Sequence, residues 1–311
     1  MLEKRGARPM RTAALALLAC VFAAGTAFAG DPKPLPESIV VGATLPLTGL
    51  GAAYGTIMQE GMQLGFAEAE KSGVTGATKF NLEIRDSQAL PAQSVSLTRD
   101  LVNAGAVAIV SAFTAPPLAQ VPIAARSKVP VFNGGGNDPA LLGRDYLWND
   151  VMMLDQEAKV GMQYASETLK AKKIGILFET SYTPTALSSI EAAWKAVGGT
   201  ESVSETVDLA ATSVGPQLEK LLAAKPDAIY LAIDGNISSL AFKELGQRNV
   251  KIPLITYSGG AVVPEAKSTP GLDLYFTTAA FQTTPEFEAA AKQAGINDIS
   301  AGSRTAAYDD A

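Results

Sequence analysis

Histidine is absent from all 311 residues, and the chain has a single cysteine, Cys20. Without histidine, Ser-His-Asp and Cys-His catalysis, HExxH zinc sites and every His-ligated metal are excluded. One cysteine permits neither an intrachain disulfide nor a thiolate metal cluster. Charge is also sparse, at 18% of residues, and 25 Lys+Arg against 31 Asp+Glu leave −6. No basic run interrupts the body of the chain, whereas affinity for phosphate needs clustered cations, so nucleic acid is a poor partner. Apolar residues are plentiful: 47% are hydrophobic, a globular profile. This length suits about two domains. An enzyme is not excluded, but most common machinery is missing, and neither metal nor cofactor is expected.

The N-terminus carries Lys4, Arg5, Arg8 and Arg11, then the apolar run from Ala13 to Ala24, then Ala27-Phe28-Ala29 before Gly30. A basic start, a short apolar stretch and a small-residue exit predict a secretory signal peptide over 1–29. The run is short for a bilayer span, which takes about 20 apolar residues. A rival reading takes Leu17-Leu18-Ala19-Cys20 as a lipoprotein box, with a lipid on Cys20; the apolar run continues past the cysteine, which favours soluble export. The chain without its leader has no cysteine, so burial alone must hold it together. Residues 30–38, with Pro32, Pro34 and Pro36, read as an extended leader.

From residue 39 onward, short β-branched runs alternate with segments of helical spacing. The predicted strands are Ile39–Leu45, Phe80–Arg85, Val107–Ser111, Val129–Asn133, Ile174–Phe178, Glu201–Val207, Ala228–Ile233, Pro253–Tyr257 and Leu274–Thr278. Between them, Thr56–Lys71 places Met58, Met62, Phe66 and Ala69 on one face, and Pro91, Pro116 and Pro216 mark helix starts. Strand–helix alternation means parallel sheets with helices on both faces, and continuously apolar strands mean burial on both sides. The extended stretch Tyr146–Met152 breaks the rhythm, and a long helix to about Lys170 follows it. The expected fold is therefore α/β, with two open parallel-sheet, Rossmann-like lobes. Lobe 1 is placed at 39–152, lobe 2 at 153–279, and a return to lobe 1 at 280–311.

Ligands of open α/β sheets lie beyond the carboxyl ends of the strands. Those ends carry Pro46–Gly55, Ala112–Pro116 and Asn133–Asp138 in the first half. In the second they carry Glu179–Tyr182, Asp234–Asn236 and Tyr257–Gly260. These ends are small, hydroxylic, amide-bearing or aromatic. The helix starting at Pro116 is expected to aim free N–H groups at a ligand anion, with Thr114 beside it. Together they suit a small polar solute with an acid group, held between two lobes. Each piece also has a plainer reading. Gly134–Gly136 could be a turn, Thr114 a helix cap, Tyr54 and Tyr182 packing residues, and Asp234 a cap for a helix from about Ile237. The stretch Gly49-x-Gly51-x-x-x-Gly55 is one residue too long for a dinucleotide fingerprint.

The segments Val40–Glu70, Glu83–Asn103, Val129–Leu141 and Lys225–Ile233, together with the signal peptide, resemble one family. It is that of the periplasmic solute-binding proteins of ABC transporters, of the branched-chain amino acid (Leu/Ile/Val-binding) type with the type I periplasmic binding fold. The resemblance implies two hinged lobes that close on a solute and deliver it to a membrane permease, without catalysis. It places Tyr54 as an aromatic covering the ligand and Thr114 as a hydroxyl for its carboxylate. Gly135 supplies backbone contacts, Asn137 a nearby polar side chain, and Tyr182 a second-lobe aromatic. Two positions depart from the family pattern. Its tyrosine near the ligand ammonium is Asp234 here, and its ammonium-pairing acid is Ser258. Asp234 is accordingly expected to supply the charge for a ligand ammonium, with Glu179 in reserve. The solute is expected to be an amino acid or a related small carboxylate or amide.

The protein is expected to be periplasmic and monomeric, with hinge crossings near Asn149–Asp155 and Thr277–Phe281. Ala306–Asp310 resembles a family motif that is followed by further helices and strands, so the C-terminal part of the fold is expected to be missing. The sensor domain of a receptor shares the expected fold. A secreted α/β hydrolase or dehydrogenase is the alternative of a different class.

Overall fold

The computed structural model describes residues 35–261, 263–277 and 284–296. The expected signal peptide, Cys20, residues 278–281 of the second hinge and the motif at Ala306–Asp310 lie outside the described residues.

Among the described residues, ten strands form two parallel sheets. The first contains β1 (Ser38–Leu45), β2 (Lys79–Asp86), β3 (Ala106–Ser111), β4 (Val131–Asn133) and β5 (Leu147–Asn149), in the order β2-β1-β3-β4-β5. The second contains β6 (Lys173–Glu179), β7 (Glu201–Val207), β8 (Ala228–Ala232), β9 (Leu254–Thr256) and β10 (Leu274–Phe276), in the order β10-β9-β8-β6-β7. Read from the other edge, the second order repeats the first, so the chain builds one α/β lobe twice. The central strands are buried on both faces: β6 from Ile174 to Glu179, and β8 over its whole length. Residues of alternating strand direction therefore both need apolar cover, and helices on each face provide it.

Pro130 and Pro253 stand just outside β4 and β9 rather than inside, as the sequence reading had them. Their carbonyls accept from Ile109 and Ile229 at 2.9 Å each, but a proline has no N–H with which to continue a ladder. The first helix, Ala52–Ser72, starts a turn earlier than expected, because nothing between Ala52 and Tyr54 breaks it. It stops at Gly73, whose φ of +73° ends the helix at no steric cost. The helix Leu154–Glu167 buries Leu154, Ala158, Met162 and Ala165 with Tyr230 and Ile255 of the second sheet. Its N-terminus keeps a tie to the first lobe, since the Leu154 amide donates to the Asn137 carbonyl at 2.7 Å. The helix Pro285–Gln293 returns to the first lobe, where Phe287, Ala290 and Ala291 pack against Leu64.

Candidate functional site

In both sheets the chain runs from the first strand to one side and then crosses to the other. The switch point lies between β1 and β3 in one lobe, and between β6 and β8 in its counterpart. A ligand crevice opens at such a point because the two neighbouring loops diverge there. The carboxyl ends of these four strands and the segments after them supply Tyr54, Thr114, Glu179, Tyr182 and Asp234. The lobes meet here: the Tyr54 ring lies 3.8 Å from where a Cβ on Gly235 would stand.

On the first lobe, Tyr54 sits in the opening turn of Ala52–Ser72, not in a loop. Its ring packs edge-on against Phe113, with centroids 5.8 Å apart. Its buried hydroxyl lies close to the Gly235 backbone without a hydrogen bond of good geometry. Burial pushes its pKa far above the ordinary phenol value, and the charges of Asp234 and Glu179 add to that. Phe113 was not singled out in the sequence. It holds φ at +66°, a strained value for a bulky residue, which seats its ring between Tyr54 and Gly51. Thr114 is buried, stands just before the helix Ala115–Ser127, and does not cap it with its side chain. The Thr114 hydroxyl makes no hydrogen bond to the chain among the described residues.

The helix behind Thr114 corrects one expectation. Its first turn reads Ala115-Pro116-Pro117-Leu118, and two prolines remove two of the N–H groups that an anion would use. The Leu118 amide already donates to the Thr114 carbonyl. N–H groups without a partner stand instead in the loop after β4. There Asn133, fully buried, accepts from the Gly136 amide at 3.0 Å and donates to the Gly136 carbonyl at 2.7 Å and to Asn149 Oδ1 at 2.9 Å. The loop is thus built, not a slack turn, and Gly136 is needed because a Cβ there would stand 2.0 Å from the Phe113 carbonyl oxygen. The amides of Gly135 and Asn137 and the Asn137 side chain donate to nothing among the described residues.

On the second lobe, Asp234 Oδ2 accepts from the Tyr182 hydroxyl at 2.7 Å, and that hydroxyl is also bonded to the hydroxyl of Tyr257. Asp234 precedes the helix Gly235–Gln247 but makes no side-chain cap, so the plainer reading of this acid does not hold. Its carboxyl is raised above the usual range by burial, against the pull of the two tyrosine hydroxyls. Behind it, buried Glu179 accepts from the Asp234 amide at 3.0 Å and from the Ser181 hydroxyl at 2.5 Å. Burial first, and then the charge of Asp234, push Glu179 up to about 7. The charges acting on this pair are other carboxylates, with Asp208 the third. The ion pairs among the described residues, such as Lys173–Glu201 and Lys243–Glu265, lie elsewhere.

Ser258 is engaged in another way. Its amide and hydroxyl both donate to Glu157, at 3.0 and 2.8 Å, and the Thr277 hydroxyl donates to the same carboxylate at 2.9 Å. Glu157 is buried, and burial lifts its carboxyl above the ordinary range. Sequence reasoning missed it, although a signal existed. Glu157 sits on the buried stripe Leu154, Glu157, Ala158, Gly161, Met162, where a solvated acid has no place. Of the seven site residues expected from the sequence, Tyr54, Tyr182 and Asp234 converge directly. Thr114, Gly135 and Asn137 form the facing wall, and Ser258 is tied to Glu157.

The sequence pattern described as periplasmic binding protein matches residues 38–308. The chain belongs to that family. This periplasmic binding protein is 25% identical over 248 residues to a Leu/Ile/Val-binding protein homolog of Brucella abortus. The match covers 78% of this chain and 64% of the relative, so the chain spans a little under two-thirds of that protein. Two solved structures share the fold. One is the branched-chain amino acid transporter substrate-binding protein of Streptococcus pneumoniae in complex with isoleucine, with TM-score 0.73 and 24% identity over 88% of this chain and 81% of that one. The other is a Rhodopseudomonas palustris solute-binding protein in complex with 3,4-dihydroxybenzoic acid, with TM-score 0.75 and 23% identity over 88% and 78%.

Proposed function

We propose that this protein is the extracytoplasmic solute-binding component of an ABC importer, holding an amino acid between its lobes for a membrane permease. The observation that carries the reading is the acid pair Asp234–Glu179, which no lysine or arginine answers among the described residues. A buried carboxylate without a cation is costly, and a ligand ammonium removes that cost. Asp234, steadied by Tyr182 and Tyr257, receives the ammonium. Opposite, the Thr114 hydroxyl and the Gly135 and Asn137 amides receive the carboxylate, and Tyr54 closes over the solute. Both charges of a zwitterion are thus met from opposite lobes, so a bound solute favours the closed arrangement.

Calorimetry with a panel of free amino acids, their desamino acids and aromatic acids tests this. One amino acid class should bind one-to-one and be recovered unchanged, while the matching desamino acid binds at least 100-fold more weakly. Equal binding of an acid that lacks an amine would refute the ammonium assignment and favour a simple carboxylate ligand. Turnover of the bound compound would refute the binding-protein reading altogether.

A further inference from the structure

We propose that Asp138 is an inter-lobe latch, which sets solute affinity by holding the lobes shut without touching the solute. Asp138 is fully buried and belongs to the first lobe, one residue after the Asn137 wall. Its Oδ1 accepts from the Ala140 amide at 2.8 Å, capping the short turn Pro139–Leu141, whose Leu141 is anchored in the first-lobe core. Its remaining capacity goes across the cleft. Oδ2 accepts from the Thr183 amide at 2.6 Å, and Oδ1 from the Thr183 hydroxyl at 3.0 Å.

Thr183 is the residue before the second-lobe helix Pro184–Ala196, and it follows Tyr182 of the opposite wall. That helix has no acidic residue in its first turn and no cap from Thr183 itself. The residue that opens a second-lobe helix thus has both its amide and its hydroxyl held by an acid of the first lobe, where a negative charge also meets the positive end of the helix dipole. When the lobes part, both sides lose: a buried carboxylate and a helix terminus go unpaired until water reaches them. An intra-lobe cap would carry no such preference. Because the closed state alone binds solute from both walls, any shift of the closure equilibrium passes directly into affinity.

Amide exchange in the ligand-free full chain reads the latch without any solute. In Asp138→Ala the Thr183 amide should exchange at least 10-fold faster. The Ala186 amide, bonded to the Thr183 carbonyl within its own lobe, should stay unchanged. Scattering should show a larger radius of gyration. The affinity arm rests on the amino acid reading: L-leucine or L-isoleucine should bind about 10- to 100-fold more weakly, the loss expected for hydrogen bonds to a charged group. Thr183→Val spares the Ala140 cap and so separates latching from first-lobe stability. It should cost about 3- to 10-fold, and nothing further on top of Asp138→Ala. Unchanged exchange at Thr183, or an unchanged radius and affinity in both variants, overturns the latch. If no amino acid binds the unaltered protein, the functional reading falls, while exchange and scattering still decide the latch.

Discussion

Replacing Asp234 with asparagine should have two effects of opposite sign. Asparagine keeps an oxygen for the Tyr182 hydroxyl, so the wall survives, but it cannot answer an ammonium. Loss of one partner of a buried charge pair costs about 2–5 kcal/mol of binding. Amino acid affinity should therefore fall by roughly 30- to several-thousand-fold. Ligand-free stability should move the other way. Asp234 is the larger of the two charges that raise Glu179. Removing it relieves a like-charge repulsion, so Asp234→Asn should raise the ligand-free melting temperature above neutral pH. A thermal melt with and without ligand reads both. The ligand-free curve should shift up, and the ligand-induced shift should shrink or vanish. An Asp234→Asn protein that binds amino acids unchanged, or that melts lower without ligand, would refute the account of Asp234 as an unanswered charge awaiting an ammonium.

The pH dependence follows from Glu179. Its folded pKa of about 7 lies above its ordinary value, so the folded state holds the extra proton in between, and ligand-free stability should decline as pH rises from about 4.5 to about 7. That slope is worth on the order of 2–3 kcal/mol, and Glu179→Gln should flatten it in denaturant titrations from pH 4.5 to 8. A bound ammonium favours the ionised pair, so amino acid binding near pH 7 should release protons, visible as a calorimetric enthalpy that changes with the buffer's ionisation heat; a buffer-independent enthalpy would count against the coupling. On the facing wall, Thr114→Val removes a hydroxyl that caps nothing and should weaken amino acid binding by about 10- to 100-fold. The melting point of the ligand-free protein should be untouched, and a large drop would mean that Thr114 is structural.

The two-lobed fold was legible because each lobe is a local rhythm. Continuous apolar runs such as Ile174–Phe178 mean a strand covered on both faces, and prolines at 91 and 216 mark helix starts whatever lies around them. The same local logic misplaced edges where a residue's neighbours decide. Pro130 and Pro253 belong to apolar runs, yet they have no N–H with which to continue the ladder. Nor did the sequence reveal that both sheets share one strand order, since topology rather than residue identity repeats.

The site divides along a similar line. Strand ends point to Tyr182 and Asp234, because ligand crevices follow from topology and the topology was readable. What a strand end cannot show is who faces whom. The bond between Asp138 and Thr183 spans 45 residues, and that between Glu157 and Ser258 spans 101. In sequence, Asp155 and Glu157 are two acids in one helical turn. In the fold, Asp155 pairs at the surface with Lys159, while Glu157 is enclosed and holds the Ser258 loop to Thr277. Only position on the apolar stripe separates them. Ser258 illustrates the consequence. Where the family resemblance places an acid, this chain has a serine, and the serine leans on an acid from another element. Glu157 thus places a carboxylate behind that wall, while Asp234 stands in it beside Tyr182. Charge at this wall is a property of the assembled cluster, so an inference made one position at a time finds the serine and misses the glutamate that engages it.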